Sequence, residues 1–225
     1  VIPELRELKD YITYKSVWSI GGDGWAYDIG FGGIDHVLSS NDNVNILVLD
    51  TEVYSNTGGQ ASKSSNRGAI AKFASVGKNT TKKDLARIAM CYPNAYVAQI
   101  SLGANMNQTI QAFVEAENHD GPSIIIAYSP CISHGIKGGM ANSSEQEKLA
   151  VKSGYFPIFR YNPKESKFTL DFKEPDFNTF HDFLNTQNRF SMLSKVNENS
   201  EEILNKLKEE AINRFNYYKS LEKIE

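Results

Sequence analysis

Asp23 stands between Gly22 and Gly24 in SIGGDGWAYDIGFGG (Ser19 to Gly33), where an apolar run gives way to a helical pattern. A bare phosphate at such a turn is met by backbone donors alone, so an acid held between glycines points to a cation that accompanies the anion. A diphosphate bridged to the protein by a hard metal ion fits this pattern: glycines let the backbone approach the phosphate, and Asp23 ligates the metal. Mg²⁺ takes six oxygen ligands and usually draws one or two from side chains, so Asp23 cannot complete the sphere alone. The stretch DTEVYSNTGGQ (Asp50 to Gln60) supplies further candidates: the Thr51 hydroxyl, the Val53 backbone carbonyl and the Asn56 amide. Gly58 and Gly59 add backbone N–H groups in a form suited to an anion nest.

Thr51 lies 28 positions beyond Asp23, about one strand-helix-strand unit, so both can reach one site from adjacent strand ends. Taken singly, each loop has a plain structural reading, the glycine-flanked Asp as a helix N-cap and YSNTGGQ as a turn. Together, at this spacing, they favour a shared ligand. The first loop matches neither the G-x-G-x-x-G dinucleotide fingerprint nor the Gly-Lys-Ser/Thr of a P-loop.

Cys131, in AYSPCISHG, follows an apolar strand and shares its ligand-bearing edge; by itself it reads as an inert buried thiol. His134 lies three residues on, but no further Cys or His at ligand spacing supports a zinc site. His134 is therefore a candidate only for an indirect role near the cofactor edge. Cys91, in the helical DLARIAMCY, reads as a core residue.

These residues must be positioned by a parallel α/β framework. VWSIGG (17–22), VNILVLD (44–50), AYVAQIS (95–101) and PSIIIAYSP (122–130) are continuous apolar runs, the mark of parallel strands buried on both faces. Between them, 25–39, 82–92 and 107–119 carry apolar residues at three- and four-residue spacing, as crossover helices do. In such sheets ligands bind beyond the carboxyl ends of the strands, where both loops lie. After about Pro157 the chain is richer in Pro, Lys and Phe, and 201–221 reads as an exposed, charged helix. No catalytic constellation is evident in this tail.

The 225 residues, 40% hydrophobic, can bury a substantial core. A net charge of -3 and the dispersal of the 24 Lys and Arg give no field for nucleic acid. No apolar run approaches the roughly 20 residues of a membrane span, and the N-terminus lacks a signal-peptide core. Two cysteines form no disulfide framework, which agrees with a reducing, cytoplasmic setting. The chain begins with Val1 rather than Met, as a piece of something longer would.

GDGWAYDIGFGGIDHVL and LDTEVYSNTGGQASKS closely resemble the C-terminal thiamine diphosphate-binding domain of pyruvate:ferredoxin (flavodoxin) oxidoreductases. The likeness continues through GAIAKFASVGK, KKDLARIAM, AVKSGYFPIFRYNP and QNRF, and so covers most of the chain. Thiamine enzymes in general carry Asn where Thr51 stands, whereas this family carries Thr. The resemblance implies a three-layer thiamine diphosphate-binding fold over residues 1–158, with a mostly parallel sheet, and a C-terminal α-rich extension over 159–225. It implies Asp23, Thr51 and the Val53 carbonyl as Mg²⁺ ligands. Gly22, Asp23, Gly24 and Trp25 become cofactor contacts, as do Thr51, Glu52, Val53, Tyr54, Ser55 and Asn56, with Asn56 also approaching the substrate.

It further implies Cys131 as one of four ligands to a 4Fe-4S cluster, the others lying upstream of this chain. The implied activity is oxidative decarboxylation of pyruvate with coenzyme A to acetyl-CoA and CO2, with electrons passing to iron-sulfur clusters. The acceptor would be ferredoxin, flavodoxin or a fused reductase, and the full-length protein a homodimer in the cytoplasm or an anaerobic energy organelle. The glutamate that activates thiamine belongs to a second domain, so this chain alone is expected to bind the cofactor weakly and to turn over nothing. The alternatives are a catalytically silent assembly module of the same fold and a non-oxidative thiamine-dependent decarboxylase. Cys131 weighs against the decarboxylase, and intact Asp23, Thr51 and Asn56 weigh against the silent module.

Overall fold

Six strands form one sheet in the order β1-β2-β4-β3-β5-β6. They are β1 (Trp18–Gly22), β2 (Asn45–Asp50), β3 (Tyr96–Ile100), β4 (Ser123–Tyr128), β5 (Phe159–Asn162) and β6 (Lys167–Leu170). The first four run parallel; β5 pairs antiparallel with β3, and β6 with β5. The structure, a computed structural model, describes residues 15–222 together with Leu8 and Tyr11.

The helices are α1 (Phe31–Ser39), α2 (Leu85–Ala89), α3 (Met106–Glu117), α4 (Ser143–Lys152), α5 (Phe180–Asn185), α6 (Asn188–Ser191), α7 (Leu193–Val196) and α8 (Ser200–Leu221). Asn105 caps α3 by accepting from the Gln108 amide, and Asp84 does the same for Arg87 at α2. The helix expected over 82–92 contracts to the five residues of α2. Lys82 and Lys83 are held outside it by side-chain contacts, and the chain turns after Met90. Cys91 is exposed rather than part of the core: it follows the last turn of α2, whose buried residues are Leu85, Ala86 and Ala89.

The sheet separates two cores of unequal size. Ile46, Val48, Ile124, Ile126 and Tyr128 enter the larger one, with α1, α2, α4, α5 and α8. On the other face α3 packs over β3 and β4 and buries Ala98, Ala112, Ala116 and Ile125. The apolar run of β1 predicts burial, yet Ile20 is 62% exposed: β1 is an edge strand, and α3 meets it at its start, where Trp18 packs on Phe113 and donates to Glu117. α8 is less exposed than its charge predicts. Leu207, Ala211, Phe215 and Tyr218 recur on one side and are buried, leaving the charged residues outward.

One sheet and one core run across position 158. β5 and β6 extend the sheet from β3, and Phe180, Phe183 and Phe190 surround Tyr155. For the site, the decisive feature is strand order. β1, β2 and β4 are neighbours, so their carboxyl ends deliver Asp23, Thr51 and Cys131 side by side.

Candidate functional site

Asp23 ends β1 and opens a π-helical turn, Gly24–Ile29, of the kind often found at functional positions. It makes no side-chain cap, which removes the N-cap reading. The carboxylate is fully buried and accepts from Thr51 Oγ1 at 2.8 Å through Oδ1 and from Ser62 Oγ through Oδ2. Thr51 Oγ1 also lies 2.9 Å from the Val53 carbonyl and 2.7 Å from Ser55 Oγ. Burial, and next the charge of Asp50, push the Asp23 carboxyl up to about 6, against hydrogen bonds from Ser62 and Thr51 and the charge of Lys82.

Beneath this group lies a second layer that the motifs do not reveal. Glu52, between Thr51 and Val53, takes a left-handed backbone conformation (φ 57°), which costs a non-glycine residue about 1–2 kcal/mol. Its carboxylate turns into the interior, away from the site surface. It meets Lys82 Nζ at 2.9 Å, Arg189 Nη2 at 2.7 Å, Tyr155 OH at 2.6 Å and Asn66 Nδ2 at 2.8 Å. Burial opposes its ionisation, but Lys82 and Arg189 outweigh that and hold it well below the usual carboxylate range. Asp50, at the end of β2, is likewise buried and accepts from Lys82 at 2.7 Å, Tyr27 OH at 2.9 Å and Ser64 Oγ.

The third strand end supplies Cys131, which is 8% exposed, with Sγ 3.3 Å from Ser55 Oγ. His134 is completely buried; its Nε2 lies 2.7 Å from the Thr51 carbonyl, and the Cys131 amide donates to Nδ1. Burial, and next the charge of Arg189, bring its pKa down to about 3, so the imidazole is neutral and Nε2–H donates to Thr51. Ser55 and Asn56 are exposed at the crest of the loop. Trp25 and Tyr54 are half-buried beside the turn, and a Cβ at Gly24 would collide with the Tyr54 ring, whereas Gly22 opens on free space. Asp23, Thr51, Val53, Ser55 and Cys131 thus form one chain of contacts, while the Glu52 carboxylate faces elsewhere.

Residues 9–127, more than half of the chain, match the family described as thiamine pyrophosphate enzyme, C-terminal TPP binding domain. The chain belongs to this family. It is 52% identical to the pyruvate:ferredoxin oxidoreductase of Moorella thermoacetica over 97% of its own length and 19% of that protein. It is 49% identical to the pyruvate-flavodoxin oxidoreductase of Klebsiella pneumoniae, over 98% and 19%. For the mitochondrial pyruvate dehydrogenase [NADP(+)] of Euglena gracilis the identity is 47%, over 98% and 12%. The chain therefore spans about a fifth or less of the length of these curated relatives. Among solved structures, a 2-oxoglutarate:ferredoxin oxidoreductase from Magnetococcus marinus aligns at 26% identity and a TM-score of 0.48, over 51% of this chain and 40% of that one.

A TPP-binding domain must hold a diphosphate, and the oxygen triad here is suited to a Mg²⁺ that would bridge to it. Cis ligands on an octahedral Mg²⁺ at 2.0–2.1 Å lie about 2.9 Å apart. Thr51 Oγ1 sits at 2.8 and 2.9 Å from its two neighbours. Among the described residues no three His, Cys, Asp or Glu side chains cluster as a metal site; the oxygens brought together here are one carboxylate, one hydroxyl and one carbonyl. Cys91 cannot join Cys131 in this TPP-binding domain, because it precedes β3 and so lies at the opposite edge of the sheet.

Several residues escaped the sequence reading. Ser62 lies in the serine-rich SKSSN that follows the second loop, a signal that was there to be weighed. Lys82 and Arg189 had none, being 30 and 137 positions from Glu52. Arg189 shows that the tail, which carries no evident catalytic constellation, still reaches the layer beneath the site. Among the described residues no helix is long and apolar enough to cross a membrane.

Proposed function

We propose that this chain holds the Mg²⁺-diphosphate end of thiamine diphosphate in a pyruvate:ferredoxin- or pyruvate:flavodoxin-type oxidoreductase, forming acetyl-CoA and CO2 from pyruvate and coenzyme A. The observation that carries this reading is the triad of Asp23 Oδ1, Thr51 Oγ1 and the Val53 carbonyl, with Thr51 Oγ1 spaced from the other two as adjacent ligands of one small hard cation are. The names of the relatives support pyruvate as substrate and ferredoxin or flavodoxin as electron acceptor. Residues 1–158 supply the metal and diphosphate ligands, and 159–225 brace them from below.

When bound, thiamine diphosphate supplies a carbanion-stabilising centre for decarboxylation. The protein's part is to bind, orient and neutralise. Asp23, Thr51 and Val53 hold the metal; Gly22, which opens on free space, leaves room for the diphosphate; and Asn56, exposed at the loop crest, presents an amide to the substrate. Neutral His134 fixes the Thr51 carbonyl from behind. Cys131 supplies one thiolate of a 4Fe-4S cluster, which needs four. The contact of Cys131 Sγ with Ser55, itself bonded to Thr51, supports a cluster close to the second loop. The full-length protein is a homodimer.

Calorimetry of thiamine diphosphate with Mg²⁺ tests the reading. Saturable binding is expected only with both present, and Asp23→Ala abolishes it; equal binding by the variant would refute the metal assignment.

A further inference from the structure

We propose that Glu52 is a positioning residue, and that Arg189 and Lys82 pin its buried carboxylate from two sides so that the Thr51–Val53 turn keeps its metal-binding shape. The inference rests on the reading of Asp23, Thr51 and Val53 as the metal ligands, and it assigns a task to the layer beneath them.

The backbone carries the first part of the argument. The left-handed conformation at Glu52 lies between the two ligands of the second loop. Across it, successive carbonyls take different partners: that of Thr51 accepts from His134 at 2.7 Å, that of Glu52 accepts from Ser65 Oγ at 2.5 Å, and that of Val53 meets Thr51 Oγ1. Glycine adopts this conformation without strain. A buried, charged side chain at such a position is explicable when the side chain is itself the tether.

The tether makes up the second part. Each Glu52 oxygen is doubly engaged, Oε1 by Lys82 and Asn66 and Oε2 by Arg189 and Tyr155. The four partners come from widely separated parts of the chain. Arg189 arrives on α6, which the Ile70 amide joins through the Arg189 carbonyl at 2.8 Å and which the Asn188 amide fastens to the Gly135 carbonyl at 2.9 Å. Lys82 also reaches Asp50, the residue before Thr51. Residues on both sides of Thr51 are thus held by one ammonium group. Strain at a residue held on all sides by the surrounding structure is a recurrent feature of functional loops, and groups that orient metal ligands typically contribute 10–100-fold to affinity.

The test compares the full chain with Glu52→Gln and with the charge-balanced double variant Glu52→Gln/Arg189→Met, which leaves the Asp50–Lys82 pair intact. Mg²⁺ is titrated into metal-free protein at saturating thiamine diphosphate, and the metal-free melting temperature is recorded in parallel. Glu52→Gln is expected to weaken Mg²⁺ about 10–100-fold. The double variant is expected to recover the melting temperature without recovering the affinity. Wild-type Mg²⁺ affinity in either variant overturns the proposal, as does a double variant that regains stability and affinity together. Failure of the unaltered protein to bind Mg²⁺ at all would instead overturn the reading of the triad.

Discussion

Asp23 and Asp50 end neighbouring parallel strands, and both side chains are fully buried, yet the protein treats them in opposite ways. Asp50 is given an internal cation, Lys82 at 2.7 Å, besides the hydroxyls of Tyr27 and Ser64. Asp23 receives hydroxyls only, from Thr51 and Ser62, and burial raises its pKa to about 6. An ionised carboxylate without a counter-ion is costly inside a protein. A structure that neutralises one of two adjacent acids and leaves the other to hydroxyl groups has left room for a cation from outside. On the function proposed above, Asp50 belongs to the framework and Asp23 to the ligand.

The most direct way to break this comparison is to make the same change at both positions. Asp50→Asn strips a buried Lys82 of one partner and is expected to cost about 3–5 kcal/mol in denaturant unfolding. Asp23→Asn removes a carboxylate that no cation contacts among the described residues, and its metal-free unfolding midpoint should move by less than about 1 kcal/mol. Equal losses would erase the distinction. A thermal-shift experiment sharpens it: Mg²⁺ and thiamine diphosphate at about 100 times their dissociation constant should stabilise the native protein by about 2.7 kcal/mol and leave Asp23→Asn unmoved.

The smallest expected effect concerns Lys78, whose ammonium donates to the Ser62 and Ser65 carbonyls behind Asp23. Burial, and next the charge of Lys82, lower its pKa from 10.5 to about 8. Between those values the unfolded chain holds a proton that the folded one has released, so stability is lost as pH falls from about 10.5 to about 8 and is constant below that. The slope of unfolding free energy against pH in this window should flatten in Lys78→Gln. An unchanged slope would show that Lys78 is solvated and takes no part in the layer under the site.

The sequence made some of this legible for definite reasons. Apolar runs marked all four parallel strands, and the loops after them carried the proposed ligand residues at a spacing that one strand-helix-strand unit explains. β1 misled because continuity of apolar residues does not distinguish an edge strand from a central one. Cys91 misled because α2 ended earlier than its periodicity promised. α8 misled because its charges outnumber the four residues that anchor it.

The sequence by itself determined which residue types stand at the strand ends: an acid between glycines, a threonine, a carbonyl two residues on, and a cysteine. These are local facts, set by short motifs. Only the tertiary structure decided that Lys82 serves Asp50 and not Asp23, that Arg189 reaches Glu52 from the far end of the chain, and that the Glu52 carboxylate faces inward. Pairings across 30 to 137 positions depend on which strands become neighbours and which charges share a low-dielectric interior, and no short motif contains that information.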